Sequence, residues 1–283
     1  MAATAPQIQY RQEWIAGFEQ HQALLRATAT TEVVIKGNQA TFLVADSGDA
    51  DAVTRGVNGL IPARNDNNNQ LTATLVEKHD LVQKTGFNVF QSQGDQRAIM
   101  QSTSRAVINR AIDSDIITEL NTGTQDTGSA VTASLNLALR AKTILGNAKV
   151  PFDGNIFAAI TPAFEAFLLQ TKEFGSADYV PIKPVASGET AWSDTPMMYR
   201  WLGVNWIVHP ELPGVGTSAE KCFMYHRNAI GHAINTGDMQ SLIGYDEEQD
   251  YSWARCSVFI GSKLLQNTGV VVMNHDGSSL VAE

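Results

Sequence analysis

The sequence predicts an α+β protein, and three observations carry that expectation. A run from Asp95 to Leu120 contains no Gly or Pro and repeats Met100, Ile108, Ile112, Ile116 and Leu120 at multiples of four, a helical spacing. Several short runs rich in β-branched and aromatic residues, bounded by Gly, Asn and Pro, read as strands. Helices and strands do not alternate with a βαβ rhythm, which argues against a doubly wound parallel sheet.

Composition bounds the function. The chain has 283 residues, 43% hydrophobic and 17% charged, enough for one large domain or two modest ones and too apolar for wholesale disorder. No window approaches the roughly 20 apolar residues that span a bilayer. With 29 acidic against 20 basic residues the net charge is -9, so no chain-wide positive field attracts nucleic acid. Cys222 and Cys256 lie in apolar, strand-like runs without a CxxC pair and read as reduced core thiols of a cytosolic compartment.

The elements follow in order. Met1 to Gln9 is a loose terminus, and Tyr10 to Arg26 is a short amphipathic helix with Trp14 and Phe18 on one edge. Glu32–Lys36 and Gln39–Val44, separated by Gly37-Asn38, predict a β-hairpin. A polar excursion from Asp46 to Gln70, with Gly56, Gly59, Pro62 and the Asn-rich run 65–69, has little capacity to form a core. Leu71–Val76 returns as strand, and Phe87–Phe90 reads as another. Asp95 is placed to cap the long helix, which would run about 40 Å. Arg97, Arg105 and Arg110 are left for solvent or partners.

Asn121 to Thr132 is a Thr/Gly-rich boundary loop, followed by a helix over 133–145 and a buried strand over 156–160. Thr161-Pro162 then starts a helix that buries Phe164, Phe167 and Leu168. Residues 174–199 are irregular. Strands are expected at 201–208, 221–225, 231–234, 253–260 and 270–273, with a turn or short helix at 226–229 and an acidic turn at 246–250.

No chemistry assembles from these residues. The six histidines form no HxxxH or HExxH pair, as a zinc site would require. Asp46, Asp49 and Asp51, and Asp246, Glu247, Glu248 and Asp250, do not match a calcium loop and read as solvated turns. There is no GxSxG elbow, Walker loop or GxGxxG, and no carboxylate pair is nominated. The expectation is a protein that is not an enzyme and takes no metal or cofactor. A projecting arm followed by a long strut suits a subunit that reaches its neighbours.

In this order the features resemble a tailed-bacteriophage major capsid protein of the Hong Kong 97-type fold. The resemblance rests on the arm and Asn/Gly excursion Glu32–Val76, the helix Asp95–Leu120, and the strand, Thr161-Pro162 and aromatic helix of Asn155–Phe174. It also rests on Gly203–Pro213 with its Leu212-Pro213 ending, the Phe223–Gly231 step with Ala229-Ile230-Gly231, and Trp253–Val272 with Gly261 near its bend. It implies an N-terminal arm (1–30), an extended β-hairpin loop (31–78), a peripheral domain (79–150 and 246–283) with spine helix 95–120, and an axial domain (151–245). It further implies self-assembly into pentamers and hexamers of an icosahedral shell around double-stranded DNA, without sequence-specific contact to that DNA. Portal, scaffolding or decoration proteins would be partners, no membrane would be involved, and virions would assemble in host cytoplasm. Candidate inter-subunit contacts are Trp14, Phe18, Arg55, Arg64, Asp66, Arg97, Arg105 and Arg110. Two alternatives stand beside this: an encapsulin-type nanocompartment shell, and a hydrolase or carbohydrate-binding module using Trp192, Trp201 and Trp206.

Overall fold

A computed structural model describes residues 23–34, 36–47, 50–64, 66–91, 95–172 and 198–279. Its strands are β1 (Thr30–Val33), β2 (Gln39–Asp46), β3 (Asn67–Thr74), β4 (Val76–Thr85), β5 (Ile156–Ile160), β6 (Met198–Trp201), β7 (Val204–Val208), β8 (Glu220–His226), β9 (Ile230–Asp246), β10 (Tyr251–Leu264) and β11 (Val270–His275). Its helices are α1 (Gly86–Gln91), α2 (Gln96–Leu120), α3 (Leu135–Asn147) and α4 (Pro162–Gln170). The strands form a four-stranded sheet β1-β9-β10-β4, a five-stranded sheet β11-β8-β5-β7-β6, and the separate pair β2-β3. The result is a mixed α+β fold.

Helix α2 lies along one face of the four-stranded sheet. Asp95 caps it, its carboxylate accepting from the N–H groups of Arg97 and Ala98 at 3.1 and 3.2 Å. Met100, Ile108, Ile112, Ile116 and Leu120 are all buried, as the spacing predicts. Side chains tie the helix to the sheet along its length: Gln101 donates to Ser241 Oγ (2.9 Å), and Ser262 Oγ donates to Asp115 Oδ2 (2.6 Å). Further along, Glu119 Oε2 accepts from the Leu264 N–H (3.1 Å). Alternation on β10 agrees, since Ser252, Ala254, Cys256, Val258 and Ile260 are buried on the α2 side.

The five-stranded sheet carries the largest core. Phe164 and Phe167 of α4 and Trp206, Phe223 and Tyr225 of the sheet are buried with residues of α2 and α3. Thr161 caps α4 by accepting from the Phe164 N–H (3.2 Å), with Pro162 at the first turn. Cys222 and Cys256 are both buried and free, and burial pushes the Cys222 thiol up to about 12.

Three local expectations are corrected. The predicted hairpin through Gly37-Asn38 does not form: β1 pairs in parallel with β9, and β2 pairs antiparallel with β3. Gly37, at φ 105°, redirects the chain there, and burial of Val34 and Ala40 in a shared small core outweighs the local turn signal. Phe87–Phe90 belongs to helix α1, with the Asn88 N–H donating to Thr85 Oγ1 (3.3 Å) at its start. An apolar run this short carries no period that separates strand from helix. The single strand expected over 201–208 is a hairpin, β6-β7, turning on Leu202 (φ 55°) and Gly203 (φ 75°).

Strands are also longer than their sequence signals: β4 continues through the charged stretch 77–80, and β9 runs on to Asp246. Strand β9 sits in the α2-covered sheet, while β11 closes the five-stranded sheet beside β8.

Candidate assembly surface

The β2-β3 pair forms an arm mounted on a small core of its own. Phe42, Ala40, Ala73, Val34 and Ala233 are buried together, with Leu75 and Leu265 against them. Two glycines allow this mounting. A Cβ at Gly231 would lie 2.9 Å from the Phe42 ring, and a Cβ at Gly261 would run into the Thr74 carbonyl oxygen. The register is continuous from Gln39–Thr74 at the base to Asp46–Asn67 at the far end.

Beyond Asp46 the chain makes a loop with no core of its own among the described residues. Every described residue from 50 to 64 is exposed. A turn at its tip is closed by the Gly59 N–H donating to the Gly56 carbonyl (2.9 Å) and the Gly56 N–H to the Leu60 carbonyl (3.0 Å). Val53, Val57, Leu60 and Ile61 are 60–108% exposed there, an apolar group in an otherwise polar loop. Full burial of one such side chain contributes roughly 1.5–3 kcal/mol, so an ordered contact at this tip would supply a substantial driving force.

The charged candidates fall into two groups. Arg64 and Asp66 meet at 2.6 Å, and Arg64 also donates to the Ser47 carbonyl (3.5 Å), fastening the two sides of the loop. Both side chains are solvent-exposed, so this pair shapes the loop more than it stabilises the fold. Arg55 is exposed nearby. Arg97, Arg105 and Arg110 are strung along α2; Arg97 and Arg105 are exposed and about 12 Å apart by helical rise. Arg97 donates to Ser252 Oγ (3.4 Å), and Arg110 lies 3.9 Å from Glu211. They are therefore not gathered with the arm. Trp14 and Phe18 lie outside the described residues.

Two features escaped sequence reasoning. One is the sheet face opposite α2. Towards the β9-β10 turn, Leu81 and Leu242 flank Arg255 in register, and both leucines are exposed. On the same face the Trp253 indole lies across Gly244, where a Cβ would collide with it. The alternation of β10 carried this signal, but the pairing that places Leu81 and Leu242 beside it is not local.

The other is a junction around Asp113, a carboxylate inside the buried stripe of α2. Asp113 accepts from the Leu24 and Leu25 N–H groups (2.9 and 3.0 Å) and lies 3.2 Å from His209 Nε2. Because His209 Nδ1 accepts from the Glu211 N–H (3.1 Å), the ring proton sits on Nε2 and is donated to Asp113. An acidic residue between Ile112 and Ile116 was the available sequence signal.

No reactive constellation appears among the described residues. No group of three or more His, Cys, Asp or Glu there is placed to hold a metal ion. Asp246 instead accepts from the Glu248 and Gln249 N–H groups (3.0 and 3.1 Å), stabilising the β9-β10 turn. Ser262, His232 and Asp115 lie in line, but Ser262 gives its proton to Asp115 rather than to an imidazole base. Trp201 and Trp206 are buried, the Trp206 indole N–H donating to the Trp201 carbonyl (3.0 Å), so neither offers a glycan platform. Trp192 lies outside the described residues.

Comparison with known proteins fits this arrangement. The phage capsid protein family matches residues 2–277. A chain of Mycobacterium phage Che8 superposes with a TM-score of 0.71 at 16% identity, covering 96% of this chain and 98% of that one. The capsid of a native GTA particle gives a TM-score of 0.69 at 15% identity, with 97% and 96% covered. The capsid of Ralstonia phage GP4 gives 0.66 at 11%, with 98% and 97% covered. No curated protein matches by sequence. The chain belongs to the phage capsid protein family and is a major capsid protein of a phage head, a structural protein.

Proposed function

We propose that the protein adopts the Hong Kong 97-type capsid arrangement and builds an icosahedral shell of pentamers and hexamers around double-stranded DNA. In this reading β2-β3 and the loop between them are the extended arm, α2 is the spine helix, and the four-stranded sheet with α2 is the peripheral domain. The five-stranded sheet with α3 and α4 is the axial domain. The observation that carries it is the arm tip: Val53, Val57, Leu60 and Ile61 are exposed on a loop held away from its own subunit. An apolar group so placed gains by covering a neighbouring copy, and many such modest contacts stabilise a closed shell through multivalency.

Arg55, Arg64 and Asp66 would orient the tip on its neighbour. Arg97, Arg105 and Arg110 would serve contacts along the spine, and Trp14 and Phe18 would add further inter-subunit contacts. The net charge of -9 suits an inner face that lies near packaged DNA without adhering tightly to it. Portal, scaffolding or decoration proteins complete the set of partners, with virion assembly in host cytoplasm. The nanocompartment alternative is not favoured, since both the matching family and the similar structures are of phage or particle capsids.

Electron microscopy of the purified chain tests the reading. Capsomers or closed shells are expected, and a monomer that persists under all assembly conditions would count against it.

A further inference from the structure

The N-terminal segment 23–34 crosses the subunit as a strap. Leu25 is fully buried, its N–H and that of Leu24 are held by Asp113, and the Tyr225 hydroxyl donates to Thr28 Oγ1, which itself donates to the Leu25 carbonyl. The strap ends in the short strand β1, which among the described residues pairs with β9 alone, at Thr30–Gly231 through Val33–Ile234. Beneath it, opposite Thr31, lies His232, fully buried.

The bonding around His232 fixes its proton. Ser262 Oγ donates to Asp115 Oδ2 (2.6 Å), so at 3.0 Å it must accept from His232 Nδ1. Nε2 is therefore the basic nitrogen, and it is buried with no hydrogen-bond partner among the described residues. A proton there would place a charge in the interior with no acceptor for its N–H. The charged groups facing the ring are Arg26 of the strap, which opposes a positive charge, and Asp113 and Asp115 of α2, which favour one. Lys78 and Glu119 act on Asp115, and His209 reaches the site through Asp113.

We propose that His232 makes the strap an acid-released latch: when Nε2 takes a proton, β1 and the 23–34 segment leave the β9 edge so that the charge reaches water. The strap is the element to yield because its described sheet pairing is four residues long and lies at an edge, whereas α2 and β10 hold His232 from the other sides. Burial lowers the His232 imidazole to about 4 while the strap is closed. With an ordinary value of about 6.5 once open, strap opening rises about tenfold per pH unit below that point.

Hydrogen exchange of the full, unassembled chain at about pH 7, 6 and 5, corrected for intrinsic exchange, reads this directly. Protection of peptides covering 23–34 should fall roughly twentyfold between about pH 7 and 5 while staying below that of β5 and β8 peptides, which exchange only on global unfolding. His232→Asn keeps a donor towards Ser262 but cannot titrate, and leaves Asp115 in place; its strap should lose several-fold less protection. Equal protection across the range in the native chain, or equal loss in native and variant, overturns the proposal. Arg26→Gln covers the case in which His232→Asn fails to fold. Removing the opposing charge eases protonation in the closed state, so the loss should become shallower, and an unchanged profile overturns the proposal.

Discussion

The ring of Phe42, on the arm, occupies the space that a side chain at Gly231 would need. An ideal Cβ at 231 would stand 2.9 Å from its nearest ring atoms. This pair joins the arm to the four-stranded sheet and fixes the arm's exit angle. Gly231→Ala should displace the ring and destabilise the mounting by about 1–3 kcal/mol through overpacking. Phe42→Ala should cost roughly 3 kcal/mol by opening a cavity in a core that contains few other large side chains. Urea unfolding, with protease sensitivity of 39–74 as a local readout, measures both.

The Asp113 junction should be a larger liability than any surface pair. Asp113→Asn keeps the volume but leaves a donor among the Leu24 N–H, the Leu25 N–H and the His209 Nε2–H without a good acceptor. A loss of about 3 kcal/mol is expected from hydrogen bonds to a buried charge. Arg64→Ala, breaking an exposed pair, should change stability by less than about 1 kcal/mol. Comparing the two in the same denaturant series tests the ranking.

Stability should fall on mild acidification. His232 is lowered to about 4 by burial first, then by Arg26, and His275 is also lowered, again by burial. Such groups bind fewer protons folded than unfolded, so the fold loses stability as pH drops below the ordinary histidine value of about 6.5, until the folded-state value is passed. For His232 this amounts to roughly 3 kcal/mol between about pH 6.5 and 4. Asp115, raised by burial, works in the opposite sense over the acid range and softens the slope. Urea midpoints of the native chain and His232→Asn from pH 7 to about pH 4 should diverge, with the variant flatter.

Much of this architecture was legible in the sequence where physics is local. The caps at Asp95 and Thr161, the buried stripe of α2, the α4 start and the exposed 50–64 loop all follow from residues close together in the chain. Pairing was less legible. Gly37-Asn38 looks like a hairpin turn, yet β1 finds its partner about 200 residues away in β9 because burial and register, not the turn, decide. The acidic and basic residues of β4 hid a ten-residue strand, since a long edge strand is expected to carry charge on its open side. The apolar tip of the arm was legible as residues but not as a surface. Its exposure depends on how the loop sits against the other described residues, which is not a local property.

The arm tip should carry shell assembly without carrying the fold. A chain lacking 53–64, which spares β3 from Asn67 onward, should match the native chain's urea stability to within about 0.5 kcal/mol, because those residues pack on no core. Under conditions where the native chain forms shells, electron microscopy of the deletion should show monomers or isolated capsomers. Closed, native-sized shells from the deletion would show that the arm tip does not carry assembly.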